Sequence, residues 1–210
     1  MKFKANRVYH VCNQGNNRQI IFREPDNYRY FQQKIQRYIS PYADILCYCL
    51  MPNHFHLLLQ PNATAALPSK AVKPCRQSSD VLKTSDDLSD HYQENLSHAI
   101  AILLSSYTKA FNRRYNRSGS LFRSRTKVKD GRTDPFFVPA AATRSLSVPT
   151  DLAYARQCFQ YIHHNPVKAG LVIRATEWPH SSAQDYAGLR RQSLCNTEVT
   201  RQLLGDTALV

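Results

Sequence analysis

The chain has 210 residues and a mass of 24.1 kDa, with 42% hydrophobic residues and 28 Lys plus Arg against 15 Asp plus Glu, a formal net charge of +13. That length accommodates one domain with insertions, the apolar content excludes global disorder, and a pI near 9.7 points to a polyanionic partner. Nothing resembles a signal peptide, and no apolar run approaches the roughly 18 residues of a membrane span, so a cytoplasmic address and no membrane partner are expected.

Residues 7–13 are rich in β-branched and aromatic types and end in Gln14-Gly15-Asn16-Asn17, which predicts a first strand and a turn. Pro25 opens a helix carrying Tyr28, Phe31, Ile35 and Tyr38 on one face, stopped by Ser40-Pro41. Residues 44–51 and 54–60 flank Pro52-Asn53 and predict a β-hairpin. Composition then turns polar, and residues 62–90 read as a surface insertion. Leu96, Ile100, Leu103, Tyr107 and Phe111 recur at helical spacing, with a stop at Asn116 to Gly119. A fourth strand with basic residues on alternate positions is predicted over 121–128, a second insertion over 133–150, and a helix over 152–164 closed by Asn165-Pro166. Short helical pieces follow around 182–189 and 197–204. The order indicates a single α+β domain spanning 1–210, a mostly antiparallel sheet with helices packed on it. The six cysteines include no C-x-x-C pair and read as reduced, mostly buried thiols.

His54 and His56 alternate on a predicted strand and therefore share a face, opposite Phe55, Leu57 and Leu59, which presets two imidazoles for a borderline divalent ion. The competing reading is a chance pair in a chain with eight His. Tyr107 shares a helical stripe with Leu103 and Phe111, a position that suits a core residue, yet nine cations fall between Lys109 and Arg132, in a stretch with hardly any acid. Among them Lys109, Arg113, Arg114, Arg117, Arg123, Arg125 and Lys127, joined by Lys168, are candidate phosphate contacts. A phenol with an ordinary pKa near 10 attacks phosphorus only when the phosphate is polarised or its proton is taken up, and a divalent metal can do the polarising. His163 and His164 are neighbours that cannot face one point on a helix, so one packed and one exposed imidazole is expected.

Three stretches together, Leu50-Met-Pro-Asn-His-Phe-His-Leu-Leu-Leu, Ser106-Tyr-Thr-Lys-Ala-Phe-Asn-Arg-Arg-Tyr-Asn-Arg-Ser-Gly-Ser-Leu-Phe and Tyr161-Ile-His-His-Asn-Pro-Val-Lys-Ala-Gly-Leu-Val, resemble the REP-associated tyrosine transposases. Tyr9-His-Val-Cys-Asn-Gln-Gly-Asn-Asn and Trp178-Pro-His-Ser-Ser fit the same pattern. The resemblance implies an HUH-endonuclease fold on a ferredoxin-like core. It also implies Mg²⁺ or Mn²⁺ held by His54 and His56, and one helix tyrosine that attacks single-stranded DNA, keeps the 5′ end and releases a 3′ hydroxyl. Tyr107 is the match for that tyrosine, with Tyr115 as the alternative. Family members place a Gln one turn beyond the nucleophile as third metal ligand; here Phe111 stands there and Asn112 follows, so Asn112 is the candidate, with His163 as another. Gln14 stands where relatives carry a basic residue.

The implied activity is a metal-dependent nicking and strand-transfer reaction on hairpin-forming repeat DNA, by a monomer rather than a dimer. A non-catalytic hairpin- or single-stranded-DNA-binding protein on the same fold is the alternative. A metallohydrolase of small substrates leaves the basic surface unexplained.

Overall fold

The computed structural model describes residues 3–62, 85–130 and 151–205. Strand β1 (Tyr9–Gln14) leads to helix α1 (Pro25–Tyr38), then to strands β2 (Ala43–Met51) and β3 (His54–Pro61). Helix α2 (Ser85–Arg114), strand β4 (Lys127–Asp130), helix α3 (Asp151–Lys168) and two short helices, α4 (Ala183–Tyr186) and α5 (Thr197–Leu204), complete the chain. The strands form one antiparallel sheet in the order β2-β3-β1-β4. With a helix between β1 and β2 and another between β3 and β4, this is the α+β, ferredoxin-like arrangement expected from the sequence. None of the described helices is long and apolar enough to cross a membrane.

Strand alternation divides the core in two. Tyr9, Val11, Tyr48, Leu50, Phe55, Leu57 and Leu59 belong to one buried cluster with Phe31 and Ile35 of α1 and Leu96, Ile100, Leu103, Tyr107 and Phe111 of α2. Val8, Cys47, Cys49, Met51 and Leu58 point the other way and pack with Tyr154, Cys158, Phe159 and Ile162 of α3 and Leu204 of α5. A register shift between Ile45 and Cys47 turns Leu46 onto the α3 side as well. A helix pair therefore covers one face and α3 covers part of the other.

The hairpin turn is fixed from outside. Gly15 donates its N–H to the Asn53 carbonyl at 2.9 Å, and a Cβ on Gly15 would sit 2.3 Å from the Gln19 carbonyl oxygen, so no larger residue fits. The contact ties the exit of β1 to the residue just before His54. The free edge of β2 is covered by the segment around Trp178: Trp178 Nε1 donates to the Leu50 carbonyl, Leu50 N–H to the His180 carbonyl, and Ser182 N–H to the Tyr48 carbonyl.

The expected elements shift in three places. The fourth strand is Lys127–Asp130 rather than 121–128, because Leu121 and Phe122 are drawn into the α1–α2 core and only Phe122 bridges to Gly15. Residues 85–90, assigned to the first insertion, lie in α2; the remainder of that insertion and the whole of 133–150, with Arg132, fall outside the described residues. Helix α3 continues through Asn165-Pro166 to Lys168. Pro166 removes the donor that would meet the Ile162 carbonyl without ending the helix, Asn165 Nδ2 donates to the Tyr161 carbonyl at 3.0 Å, and the turn ends at Gly170 with φ of 68°.

A candidate metal and phosphate pocket

His54 and His56 project from β3 on the α3 side of the sheet, their ring centroids 5.0 Å apart. Each has its Nδ1 engaged: His54 Nδ1 lies 2.6 Å from Asn53 Oδ1, and His56 Nδ1 lies 2.8 Å from His10 Nε2. With the Nδ1 hydrogens given to these neighbours, the Nε2 lone pairs remain for a ligand, the way metal-binding imidazoles are usually oriented. His56 Nε2 is buried and has no hydrogen-bond partner among the described residues. Burial lowers the pKa of His54, and lowers that of His56 well below the ordinary value with His10 and His54 adding to it, so both rings are neutral at pH 7.

A pocket of about 200 Å³ opens beside them, lined also by Cys12, Gln14, Arg123, Arg125, Lys127 and Tyr161. It is below the size of a pocket that encloses a small-molecule substrate, roughly 300 Å³ and upward, but suits a phosphate group with its backbone running outside. The cations arrive by strand geometry. Lys127 pairs with Cys12 and Lys129 with His10 across β1 and β4, so the alternating basic residues of the chain fall on the histidine face. Asn13 Nδ2 donates to the Arg123 carbonyl and to Thr126 Oγ1, which holds the arginine-bearing loop against β1.

Tyr161 is the phenol of this pocket. Its ring stands edge-on to His56 at 5.7 Å and to His10 at 6.1 Å. Burial raises its pKa, with Cys12 adding to the rise and a side-chain hydrogen bond from Asn165, one turn on, opposing it.

Tyr107, the tyrosine matched to the nucleophile by resemblance, lies elsewhere. Only 1% exposed, it is enclosed by Phe22, Phe31, Phe111 and Phe122, donates its hydroxyl to the Ile21 carbonyl at 2.5 Å, and has a pKa driven up by burial. It belongs to the cluster containing Phe55, whereas His54 and His56 point to the opposite side of the sheet. Tyr115 is also committed: its hydroxyl lies between Glu24 Oε1 and Asn27 Oδ1 at 2.8 and 2.9 Å.

The proposed third ligands fare likewise. Asn112 on α2 donates to the Gly119 carbonyl at 2.8 Å and accepts from Arg117 at 2.6 Å, closing the end of its own helix. His163 is buried, with Nε2 2.7 Å from Ser182 Oγ and a pKa pushed down to about 3 by burial and by His164, which is exposed. What the structure does gather with His56 is His10 and Cys12, whose ligand atoms and that of His56 lie within 4.8 Å of one another.

The basic list divides in the same way. Arg123, Arg125 and Lys127 border the histidine pocket, while Lys109, Arg113 and Arg114 border a separate groove between α1 and α2. Arg114 is paired there with Glu24 at 2.5 Å and Asp26 at 3.7 Å, acids that lie far away in sequence. Lys168 occupies the last turn of α3.

Sequence reasoning passed over His10, Cys12, Tyr161 and Asn165. A signal was present for each pair. His10 and Cys12 alternate on a strand just as His54 and His56 do, and Tyr161 and Asn165 stand four apart on one helix face.

No protein-family model and no curated protein matches the chain. A solved structure described as "Structure of the REP associates tyrosine transposase bound to a REP hairpin" is similar at 15% identity and a TM-score of 0.45, over 93% of this chain and 94% of that one. At that level of similarity, chemistry has to be assigned from the side chains themselves.

Proposed function

We propose that the protein is a metal-dependent endonuclease and strand-transferase for single-stranded, hairpin-forming DNA, working through a covalent 5′-phosphotyrosine with Tyr161 as nucleophile. The supporting observation is that one pocket gathers a phenol, two neutral imidazoles and three cations. The sequence pattern agrees once the tyrosine is moved. The amide that family members carry one turn beyond the nucleophile is missing after Tyr107, where Phe111 stands, but is met after Tyr161 by Asn165.

Arg123, Arg125 and Lys127 would hold the phosphodiester and set the strand's direction. Tyr161 Oη then bonds to phosphorus as the P–O3′ bond breaks, the 3′ oxygen takes up a proton, and the 5′ phosphate stays on the tyrosine; attack by another 3′ hydroxyl reverses the exchange. Mg²⁺ or Mn²⁺ bound at the Nε2 atoms of His54 and His56 would polarise the phosphate, with phosphate and water oxygens filling the remaining positions. Asn165 would position the Tyr161 turn and offer an amide oxygen toward the ion. Because these groups come from one chain, a monomer can do the chemistry in cis.

The test uses hairpin oligonucleotides labelled at the 5′ or the 3′ end, incubated with and without Mg²⁺ and run on denaturing gels. Label from the downstream fragment alone should travel with the protein, Tyr161→Phe should remove it, and Tyr107→Phe should keep it. Retained hairpin binding with no adduct under any metal would establish the non-catalytic DNA-binding alternative.

A further inference from the structure

We propose that His10, Cys12 and His56 form a thiolate-containing site for a thiophilic divalent cation of the zinc class, on the β1 flank of the histidine pocket. The site shares His56 with the nicking reading but rests on geometry that reading does not use. Strand alternation puts His10 and Cys12 on one face of β1, and the β1–β3 register sets Cys12 directly across from His56. The three side chains bring their ligand atoms within 4.8 Å of one another. His10 Nε2 and His56 Nδ1, 2.8 Å apart, need to open only slightly to the ~3.3 Å that two nitrogens span across a tetrahedral ion at Zn–N distances of about 2.0–2.1 Å. His54 stays outside the group, its Nδ1 held by Asn53.

The donor chemistry points to the class of ion. Two imidazoles and a sulfur suit zinc or cobalt. Binding exchanges the Cys12 thiol proton, released to solvent, for a sulfur–metal bond. Burial raises the pKa of the Cys12 thiol, and Lys127 and Lys129 oppose that rise only in part. The same cations, with Arg125, discourage a bare dication and favour an anion as fourth ligand. Chloride, hydroxide or a phosphate oxygen would serve, as in the open fourth position of a zinc site with three protein donors.

The experiment is a titration of the full chain, freed of metal, with Co²⁺ followed by Zn²⁺. The expected result is one equivalent of Co²⁺ giving a thiolate-to-cobalt absorption band with tetrahedral visible bands, displaced by Zn²⁺. Cys12→Ser should remove the charge-transfer band and weaken Zn²⁺ binding at least tenfold, whereas His54→Ala should keep both. Cys12 is partly exposed and serine nearly isosteric, so the variant should fold, which circular dichroism checks. Absence of the band in the unmodified chain, its survival in Cys12→Ser, or its loss in His54→Ala would overturn the site. A chain that shows the band yet forms no DNA adduct keeps this proposal and loses the nicking one; an adduct without the band does the reverse.

Discussion

The two faces of the sheet carry the same kinds of residue to opposite ends. On the α1–α2 face Tyr107 is locked by aromatic rings and a carbonyl, and Arg114 is neutralised by Glu24. On the α3 face Tyr161 stands over two imidazoles, and Arg123, Arg125 and Lys127 border the same opening. A helix tyrosine is thus enclosed in the core or set beside a basic pocket according to which side of the sheet its helix packs on, and the helix sequence alone does not say which.

The sharpest way to break this comparison is to exchange the two phenols for phenyl rings. Tyr161→Phe is expected to lower adduct formation by at least about a thousandfold, the loss typical of a removed nucleophile, with little change in urea stability. Tyr107→Phe should leave adduct formation within about threefold. It should cost about 1–3 kcal/mol of stability, because the Ile21 carbonyl loses its buried donor. Equal activity losses in the two variants would dissolve the distinction between the faces.

Packing energy should be largest on the α1–α2 face. Phe31, fully buried against Phe22, Phe55 and Tyr107, is expected to cost about 3–5 kcal/mol on change to Ala in a urea melt. On the other side, His54→Ala should abolish metal-dependent cleavage while shifting stability by less than about 1 kcal/mol, since His54 is only partly buried.

Acid should weaken the fold through its buried histidines, two of them, His10 and His163, on the α3 side. Burial pushes His163 down to about 3, and His10 and His180 down to about 4, the latter two helped by nearby cations. Unfolded, each titrates near 6.5, so between these values the unfolded chain binds the extra protons. Their contribution is complete above pH ~6.5 and lost as pH falls toward 4 and below. Urea midpoints should fall over that range, and His163→Gln should flatten the slope.

The smallest expected effects come from the cations. Removing Arg123, Arg125 or Lys127 one at a time should weaken hairpin binding across sequences and lower the slope of log affinity against log salt by about one unit or less each. Arg114→Ala should barely change it, since Glu24 and Asp26 already hold that guanidinium.

Much of this architecture was legible in the chain. Alternation around Pro52-Asn53 gave the hairpin, and the stripe from Leu96 to Phe111 gave the buried face of α2. The placement of α2 was legible too, though only by combining rules. Crossovers between parallel strands of one sheet are right-handed, which puts α1 and α2 on the same face, and apolar Phe55, Leu57 and Leu59 mark that face as theirs. His54 and His56 must then look toward whatever follows β4, the helix containing Tyr161. What hid this was the cation run after Tyr107, which drew attention to α2 although Glu24 and Asp26 answer part of it, and Asn165-Pro166, which reads as a stop although α3 runs on to Lys168. The end of β1 was obscure because Gly15 and Phe122 meet through a single bridge between segments distant in sequence.

The central claim, that chemistry belongs to the α3 face, is tested most directly by trapping the protein with a hairpin oligonucleotide, digesting both, and locating the nucleotide-bearing peptide by mass spectrometry. Trypsin releases residues 157–168 as one peptide in which Tyr161 is the sole tyrosine, separate from the peptide that ends at Lys109 and contains Tyr107. A phosphonucleotide on the 157–168 peptide is the predicted result; the same mass on the peptide ending at Lys109, or on the one containing Tyr115, would contradict it.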